Sequence, residues 1–287
     1  MDVGLLMLVG GFAAGVFGSL LGLGGGILIV PLLTLGFGLD LRSAVGVSLV
    51  CVIMTSSAAA GVYLERHVAN LRLGMSLELF TAIGALVGGS IAFLVDERFL
   101  SVLFAALLGY VAFSMLRAPE QAPGDGAGEV EAAAGSEPET IPAPETKPLA
   151  GMATGFLASV AGPDYEVRNL GRGIVGATGA GVASALLGIG GGIVKVPLMH
   201  VSMGVPLRVA TATSNLMIGI TAAASAVIYL LRDEIDPYVA GPTAIGVFLG
   251  ASVGSRVAHR IGLRYLRLLF VVVLGYTAIQ MLLRALG

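Results

Sequence analysis

Two glycine-rich runs carry the clearest chemical signal in this 287-residue sequence. Residues 22–26 read GLGGG, and residues 188–192 read GIGGG. A helix that restarts after such a run presents backbone N–H groups without intrahelical partners, and its positive end attracts anions. Glycine has no side chain to keep an oxyanion away from those groups. The sequence therefore predicts an anion site at the ends of the runs, formed by Gly24, Gly25, Gly26, Gly190, Gly191 and Gly192.

Polar side chains close to the runs extend this predicted site. Lys195 lies three residues after the second run, within one helical turn, and the first run has Ile29 in that place. A lysine there offers a positive charge to an anion; the alternatives are that it pairs with an acid or snorkels to the interface. Hydroxyl and amide groups in the following helices are further candidate donors, although such groups commonly bond to neighbouring helices instead. These candidates are Ser48, Thr213, Ser214 and Asn215.

The spacing of residues does not fit a nucleotide-binding site or an enzyme active site. The third glycine of a dinucleotide-binding fingerprint would fall at Ile27 and Ile193, and no Gly-Lys-Ser/Thr follows either run. The apolar segments contain no Ser-His-Asp set, no zinc-spaced histidines and no paired carboxylates. The single Cys51 lies in an apolar run. We therefore expect no enzymatic activity, no cofactor, no metal and no nucleic-acid partner.

Composition predicts that the chain is embedded in a lipid bilayer. Hydrophobic residues make up 56% of the chain and charged residues 12%, against about 25% charged in a soluble domain. Mean hydropathy is +0.94. The 43 glycines and the absence of tryptophan suit helices that pack closely in a bilayer. The predicted fold is that of an all-α integral membrane protein, with the lipid bilayer as its surroundings.

An internal repeat organises these helices. Residues 15–51 align without a gap with residues 181–217, at an offset of 166, and 17 of the 37 positions are identical. The identity of residues 81–84 with residues 243–246 then suggests a four-residue deletion, after which residues 108–110 return to register with residues 274–276. The chain is thus predicted to be a tandem duplication.

Each half is expected to consist of an interrupted helical element and three spanning helices. A continuous helix over residues 3–37 would exceed the roughly 30 Å of a hydrocarbon core, so it must break at the glycines. The spans are predicted at residues 42–64, 71–95 and 99–116, and at 208–231, 237–258 and 265–285. The first membrane repeat is residues 1–117 and the second is residues 151–287. Residues 118–150 hold six of the twelve prolines and seven acids against one base, which predicts a disordered acidic linker.

The distribution of arginine predicts how the halves are oriented. The loop after the first span of the first half carries Arg66 and Arg72, whereas in the second half the loop after the second span is the basic one. Basic loops are cytoplasmic, so the halves should be inverted, both chain termini should lie outside, and each interrupted element should be a re-entrant hairpin. Arg42, Tyr63 and Tyr229 are expected to anchor at the interface.

The doubled motif resembles that of a known family. LLGLGGGILIVPL at residues 20–32 and LLGIGGGIVKVPL at residues 186–198, followed by ATATSN at 210–215, are similar to the TauE/SafE sulfite exporter family. The first half departs from the pattern, because SAVGVSL at 43–49 lacks the threonines and the asparagine.

The resemblance implies a secondary transporter, a probable exporter in the plasma membrane, for a small sulfur-containing oxyanion or organosulfonate such as sulfite or sulfoacetate. Alternating access would occur around the paired glycine tips. An anion channel is the alternative. A proton is the candidate coupling ion, and a homodimer is left open.

Overall fold

The chain is helical throughout its described part. A computed structural model of the protein describes residues 2–20, 26–65, 69–117, 167–257 and 263–286, and these ranges contain no β-strand. The first half contains α1 (Asp2–Leu20), α2 (Gly26–Pro31), α3 (Leu41–Glu65), α4 (Leu71–Ala92) and α5 (Glu97–Arg117). The second half contains α6 (Leu170–Leu187), α7 (Gly192–Pro197), α8 (Leu207–Leu231), α9 (Pro237–Val257) and α10 (Leu263–Leu286). π-Helical turns extend α2 over Leu32–Gly36 and α7 over Leu198–Ser202. The all-α prediction is confirmed, and the predicted linker at 118–150 lies outside the described residues.

The helix bounds correct the repeat alignment. α4 and α9 begin at positions 71 and 237, and α5 and α10 begin at positions 97 and 263, so both pairs keep the offset of 166. The same offset relates their contacts: Gly84 faces the carbonyl oxygen of Thr178, and Gly250 faces that of Phe12. The predicted four-residue deletion is therefore wrong. The match between residues 81–84 and 243–246 is a chance identity of small apolar residues that are common in membrane helices.

In the second half, the interrupted element folds back on itself. Gly173 packs against the side chain of Met203, and Gly176 packs against that of Leu198, so α6 and the extended α7 run antiparallel. The amide of Arg168 donates to the carbonyl oxygen of Met203 over 3.0 Å, which joins the beginning of the element to its end. In the first half, Gly10 meets Leu32 in the equivalent way. The element of the second half is therefore a helical hairpin with its glycine run at the tip, and the described parts of the first element pack together in the same way.

Each hairpin packs on a helix of the other half. α1 packs on α9, and α6 packs on α4, as the equivalent pair. A side chain on Gly15 would clash with the carbonyl oxygen of Val247, and one on Gly181 would clash with that of Thr81. Glycine is required at these points because the backbones touch, which is how small residues promote helix association in lipid. The halves are interlocked rather than side by side.

Equivalent helices of the two halves are antiparallel where they meet. At the centre, Gly46 near the start of α3 faces Tyr229 near the end of α8, and Gly219 in α8 faces Ser56 further along α3. The start of α5 and the end of α10 line one pocket of about 180 Å³, with Glu97 and Arg284 both in its wall. The helices of the pairs α3–α8 and α5–α10 are therefore antiparallel where they pack together.

The outer surface is apolar. Among the described residues, four helices are long and apolar enough to cross a bilayer: Leu71–Ala92, Glu97–Leu116, Leu170–Leu187 and Val209–Leu231. Large apolar side chains on their outward faces are exposed, including Leu79, Tyr110, Val175 and Leu230. Such a surface is stable only in contact with lipid. The architecture is that of a multi-pass helical membrane protein.

Candidate functional site

The tip of the second hairpin is a tight turn that only glycine adopts comfortably. Gly188, Gly190 and Gly191 have φ of +66°, +73° and +76°, and α7 begins at Gly192. These angles lie in the left-handed region, where a side chain would clash with the backbone. The three glycines are buried. The predicted break in the helix is thus located at the second run, as its composition requires.

The two tips meet at the centre of the molecule. A Cβ atom on Gly26 would lie 2.9 Å from the carbonyl oxygen of Gly188. Ser48 on α3 links the tips, because its hydroxyl lies 3.2 Å from the carbonyl oxygen of Gly26 and 2.8 Å from that of Gly188. Val52 and its repeat equivalent Ile218 pack against the glycines on either side. The predicted candidates Gly24 and Gly25 lie outside the described residues.

Lys195 lies beside the second tip and is almost entirely buried, with 1% of its surface exposed. Its ammonium forms an ion pair with Oε2 of Glu78 on α4 at 3.3 Å. It also donates to Oγ1 of Thr221 over 2.5 Å, and Oγ1 of Thr221 lies 2.6 Å from Oε1 of Glu78. The three side chains form a closed triangle in which the lysine and the carboxylate each have two partners. Of the alternatives for Lys195, pairing with an acid is the one found.

Glu78 is the residue that sequence reasoning missed. It is the one acidic residue of α4, it is 4% exposed, and it lies 117 positions from Lys195 in the chain. The available signal was its type, since an ionisable residue within a predicted span indicates a functional site. Its partner was not readable from spacing, because the repeat has no equivalent pair: Ile29 stands at the position that matches Lys195, and Ala244 at the position that matches Glu78.

Two buried hydroxyls at the second tip are unpaired within the described part of the chain. They are Oγ of Ser184 and Oγ of Ser214. The side chain of Ser184 lies 3.3 Å from a Cβ position on Gly191, and Oγ of Ser214 lies 3.7 Å from one on Gly192. A buried polar group without a partner costs free energy, so its retention is unusual in a well-packed core.

The three consecutive candidates on α8 do not share a surface. Successive residues of a helix point about 100° apart. Ser214 faces the tip, whereas the hydroxyl of Thr213 accepts from the amide of Asn70 at the start of α4. Asn215 lies on the side of α3, where its carbonyl oxygen accepts from the hydroxyl of Ser56. The structure therefore brings together Gly26, Ser48, Gly190, Gly191, Gly192, Lys195 and Ser214, and leaves Thr213 and Asn215 to the side.

Tyr229 does not anchor at the membrane interface as expected. It is fully buried, and its hydroxyl donates to the carbonyl oxygen of Ala185 over 2.9 Å. Its ring packs against that of Phe93, with 5.2 Å between centroids. Arg42 lies over the same Phe93 ring and donates to the carbonyl oxygen of Val95. Tyr229 is instead a core residue behind the second tip, because α3 and α8 cross there.

The site carries one buried positive charge, one buried negative charge and several neutral donors. The two charges neutralise each other, and each has a hydrogen bond with Thr221 as well. Cε of Lys195 and the side chain of Ser184 lie near Gly191, and Oγ of Ser214 lies near Gly192. Within the described ranges, no group of three His, Cys, Asp or Glu side chains is placed to hold a metal ion.

These features define a class: a multi-pass helical membrane protein made of two interlocked halves, with paired glycine tips and a buried charge at the centre. The sequence profile of the family "Sulfite exporter TauE/SafE" matches residues 7–281, and the chain belongs to that family. The resemblance read from the doubled glycine motif is thereby confirmed.

The relatives carry transporter names. A probable membrane transporter protein of Bacillus subtilis is 24% identical over 286 residues, covering 97% of each chain. A probable membrane transporter protein of Methanocaldococcus jannaschii is 25% identical, covering 97% of this chain and 95% of its own. The "Sulfite exporter TauE/SafE family protein 3" of Arabidopsis thaliana is 24% identical, covering 88% and 72%. No solved structure matches the chain significantly.

Proposed function

We propose that the protein is a secondary transporter that exports a small sulfur-containing oxyanion or organosulfonate, such as sulfite or sulfoacetate, across the plasma membrane. The observation that carries the proposal is the position of Lys195, buried at 1% exposure beside two unpaired hydroxyls where the hairpin tips meet. Ionisable residues buried within membrane helices are costly, and they commonly mark ion pathways. Transport without chemical conversion is the activity.

The proposed topology is an inverted repeat with two re-entrant hairpins. Antiparallel contacts between α3 and α8, and between α5 and α10, support opposite orientations of the two halves. The bond from Arg168 to Met203 supports a hairpin that enters and leaves on one side. Irregular backbone at membrane depth is tolerated only where protein or a cavity surrounds it, as the buried tips are. The arginine distribution then orients the cytoplasmic loops and puts both termini outside.

Alternating access is the proposed mechanism. The second tip is closed from solvent, with Gly188, Gly190 and Gly191 buried, so the anion must reach it through movement of the halves. Ser48 is the hydrogen-bond link between the tips, and separation of the hairpins breaks its two bonds. In inverted-repeat transporters, one half rocks against the other around a fixed central site. Opening on one side while the other stays closed gives transport without a continuous pore.

The oxyanion class follows from donor geometry and from the family. Neutral hydroxyls and glycine amides around a single ammonium favour a compact guest with several acceptor oxygens. The Arabidopsis relative is named as a member of the sulfite exporter family. A sulfonate presents the same oxygen arrangement on one side, so both kinds of anion are candidate substrates.

An anion channel is the second candidate, because re-entrant tips also line channels. Reconstitution into liposomes separates the two. Flux that saturates with concentration and shows counterflow supports a carrier. Large unitary currents in planar bilayers support a channel and contradict alternating access.

The substrate test is a thermal-shift panel on the purified protein. Sulfite, sulfate, thiosulfate, sulfoacetate, taurine and carboxylates are added one at a time, since a ligand that binds the folded state raises the melting temperature by mass action. Lys195→Gln is the companion variant: it keeps hydrogen-bonding capacity and removes the charge. We expect at least one sulfur oxyanion to stabilise the wild type and not the variant. Equal shifts in both would exclude Lys195 from the site, and no shift for any anion would contradict the proposal.

A further inference from the structure

The charge balance of the site depends on one carboxylate. Lys195 and Glu78 form the one salt bridge between side chains of the described residues, and both are at most 5% exposed. An anion at the tip competes with Glu78 for the same ammonium, because Lys195 reaches the carboxylate while its Cε lies 3.5 Å from a Cβ position on Gly191. Lys195 can therefore pair either with Glu78 or with a bound anion.

We propose that Glu78 is the proton-binding residue that couples anion transport to proton movement. The inference rests on the proposed function. When the anion binds Lys195, the Glu78 carboxylate loses its counter-charge and takes up one proton on an oxygen from the aqueous side to which the site is open. When the anion leaves on the other side, the proton leaves with it, and the Lys195–Glu78 ion pair re-forms.

The physical reason is the cost of uncompensated charge inside a membrane protein. The empty site contains +1 on Lys195 and −1 on Glu78. A bound monoanion would bring the total to −1, which low-dielectric surroundings disfavour strongly. Protonation of Glu78 returns the total to zero. Thr221 assists both states, since its hydroxyl can donate to the carboxylate or, after protonation, to the carbonyl oxygen of Met217 at 2.9 Å.

No other charged residue in the described part of the chain is placed to bind this proton. α4 packs on α6 and α8. Lys195 faces Glu78 from α7, and the polar group facing it from α8 is Thr221. The remaining described charges of α4 and α6 are Arg72 and Arg172, which are exposed near the first turns of their helices. The repeat equivalents Ile29 and Ala244 are apolar, so the molecule has one such proton site rather than two.

The first test measures proton uptake by the wild type. The full chain in lipid nanodiscs is placed in weakly buffered solution near neutral pH, and the pH change is recorded as a simple alkanesulfonate such as methanesulfonate is added, a monoanion whose charge is fixed in this range. We expect one proton taken up for each anion bound. Binding without proton uptake would overturn the inference and leave the transport proposal intact.

The second test compares Glu78→Gln with the wild type. By linkage, the affinity of the wild type should fall about tenfold for each pH unit over which Glu78 is ionised in the free protein. The glutamine variant is a permanent mimic of the protonated state, so its affinity should not depend on pH. If sulfite is the anion that binds, its own proton equilibrium cancels in the difference between the two proteins. A pH slope that survives in Glu78→Gln would contradict the proposal.

Two controls make the result specific. Glu97→Gln changes a carboxylate that accepts from the amide of Leu41, outside the tips, and should keep the wild-type slope. Lys195→Arg keeps a positive charge that does not titrate. If the affinity of this variant still depends on pH, the dependence is caused by Glu78 rather than by the lysine. Should no anion bind at any pH, the proposed function fails and the inference fails with it. The wild-type measurement needs no variant, so a misfolded Glu78→Gln protein does not block the test.

Discussion

Ser48 and Ser214 occupy equivalent positions in the two halves but have different environments. The hydroxyl of Ser48 lies within hydrogen-bonding distance of the tip carbonyls of Gly26 and Gly188. The hydroxyl of Ser214 is 1% exposed and has no partner among the described residues. One serine therefore links the two tips, whereas its equivalent has no partner in the described part of the chain. Under the proposed function, Ser214 is the copy that binds the anion.

This difference predicts opposite effects of the same substitution. Ser48→Ala removes a donor from two buried carbonyls and should lower the free energy of unfolding by ~1–3 kcal/mol. Ser214→Ala removes a hydroxyl that has no partner, so stability should stay within about 0.5 kcal/mol of the wild type, while anion affinity falls. Thermal melts with and without the stabilising anion check both. Unaltered affinity in Ser214→Ala would place the guest elsewhere.

The ion pair predicts a rescue of stability without a rescue of function. Lys195→Ile alone leaves the Glu78 carboxylate buried and unpaired, which should cost ~3–5 kcal/mol. Adding Glu78→Ala reproduces the apolar residues Ile29 and Ala244 found at the equivalent positions of the repeat, and should recover most of that loss. Anion binding should be absent from both proteins. The measurements are denaturation midpoints and equilibrium binding; transport by the double variant would show that the charge is dispensable.

The contact between the tips predicts strong position dependence for glycine. In Gly26→Ala, the new methyl group would lie 2.6 Å from Cγ2 of Val52 and 2.9 Å from the carbonyl oxygen of Gly188, which should cost ~1–3 kcal/mol and separate the hairpins. Gly109 in α5 is the matched control, since a Cβ atom there meets nothing within 4 Å. Gly109→Ala should be neutral or stabilise by up to about 1 kcal/mol. Similar losses in both variants would mean that helix propensity, not the contact, controls stability.

The proposed inverted topology predicts the side of each terminus. A reporter fused after Gly287 should be active only outside the cytoplasm, and one inserted into residues 118–150 should be active only inside. The reason is the opposite arginine bias of the two halves. Paired fusions of a periplasmic enzyme and a fluorescent protein at each site provide the measurement. Cytoplasmic activity after Gly287 would require a different arrangement of the second half.

Much of the fold was determined by the sequence alone. Composition predicts a membrane protein, because a chain with only 12% charged residues must bury its surface in lipid. The repeat and the glycine runs are local patterns, and the predicted spans agree with α3, α4, α5, α8, α9 and α10 to within a few residues. The sequence also indicated that Lys195 is unusual, since it places a charge where the first half has Ile29.

Only the tertiary structure decided which residues meet. Glu78 joins Lys195 across 117 positions because α4 packs on the second half, and no spacing rule predicts which helices cross. The same packing separates Thr213 and Asn215 from Ser214, and it buries Tyr229. It also shows that the two halves keep the repeat offset of 166 where a chance identity suggested a deletion. Sequence determines periodicity and residue type, which act within one helix. The site depends on which faces of different helices come together, and that is set by the close backbone contacts at glycines such as Gly15 and Gly181.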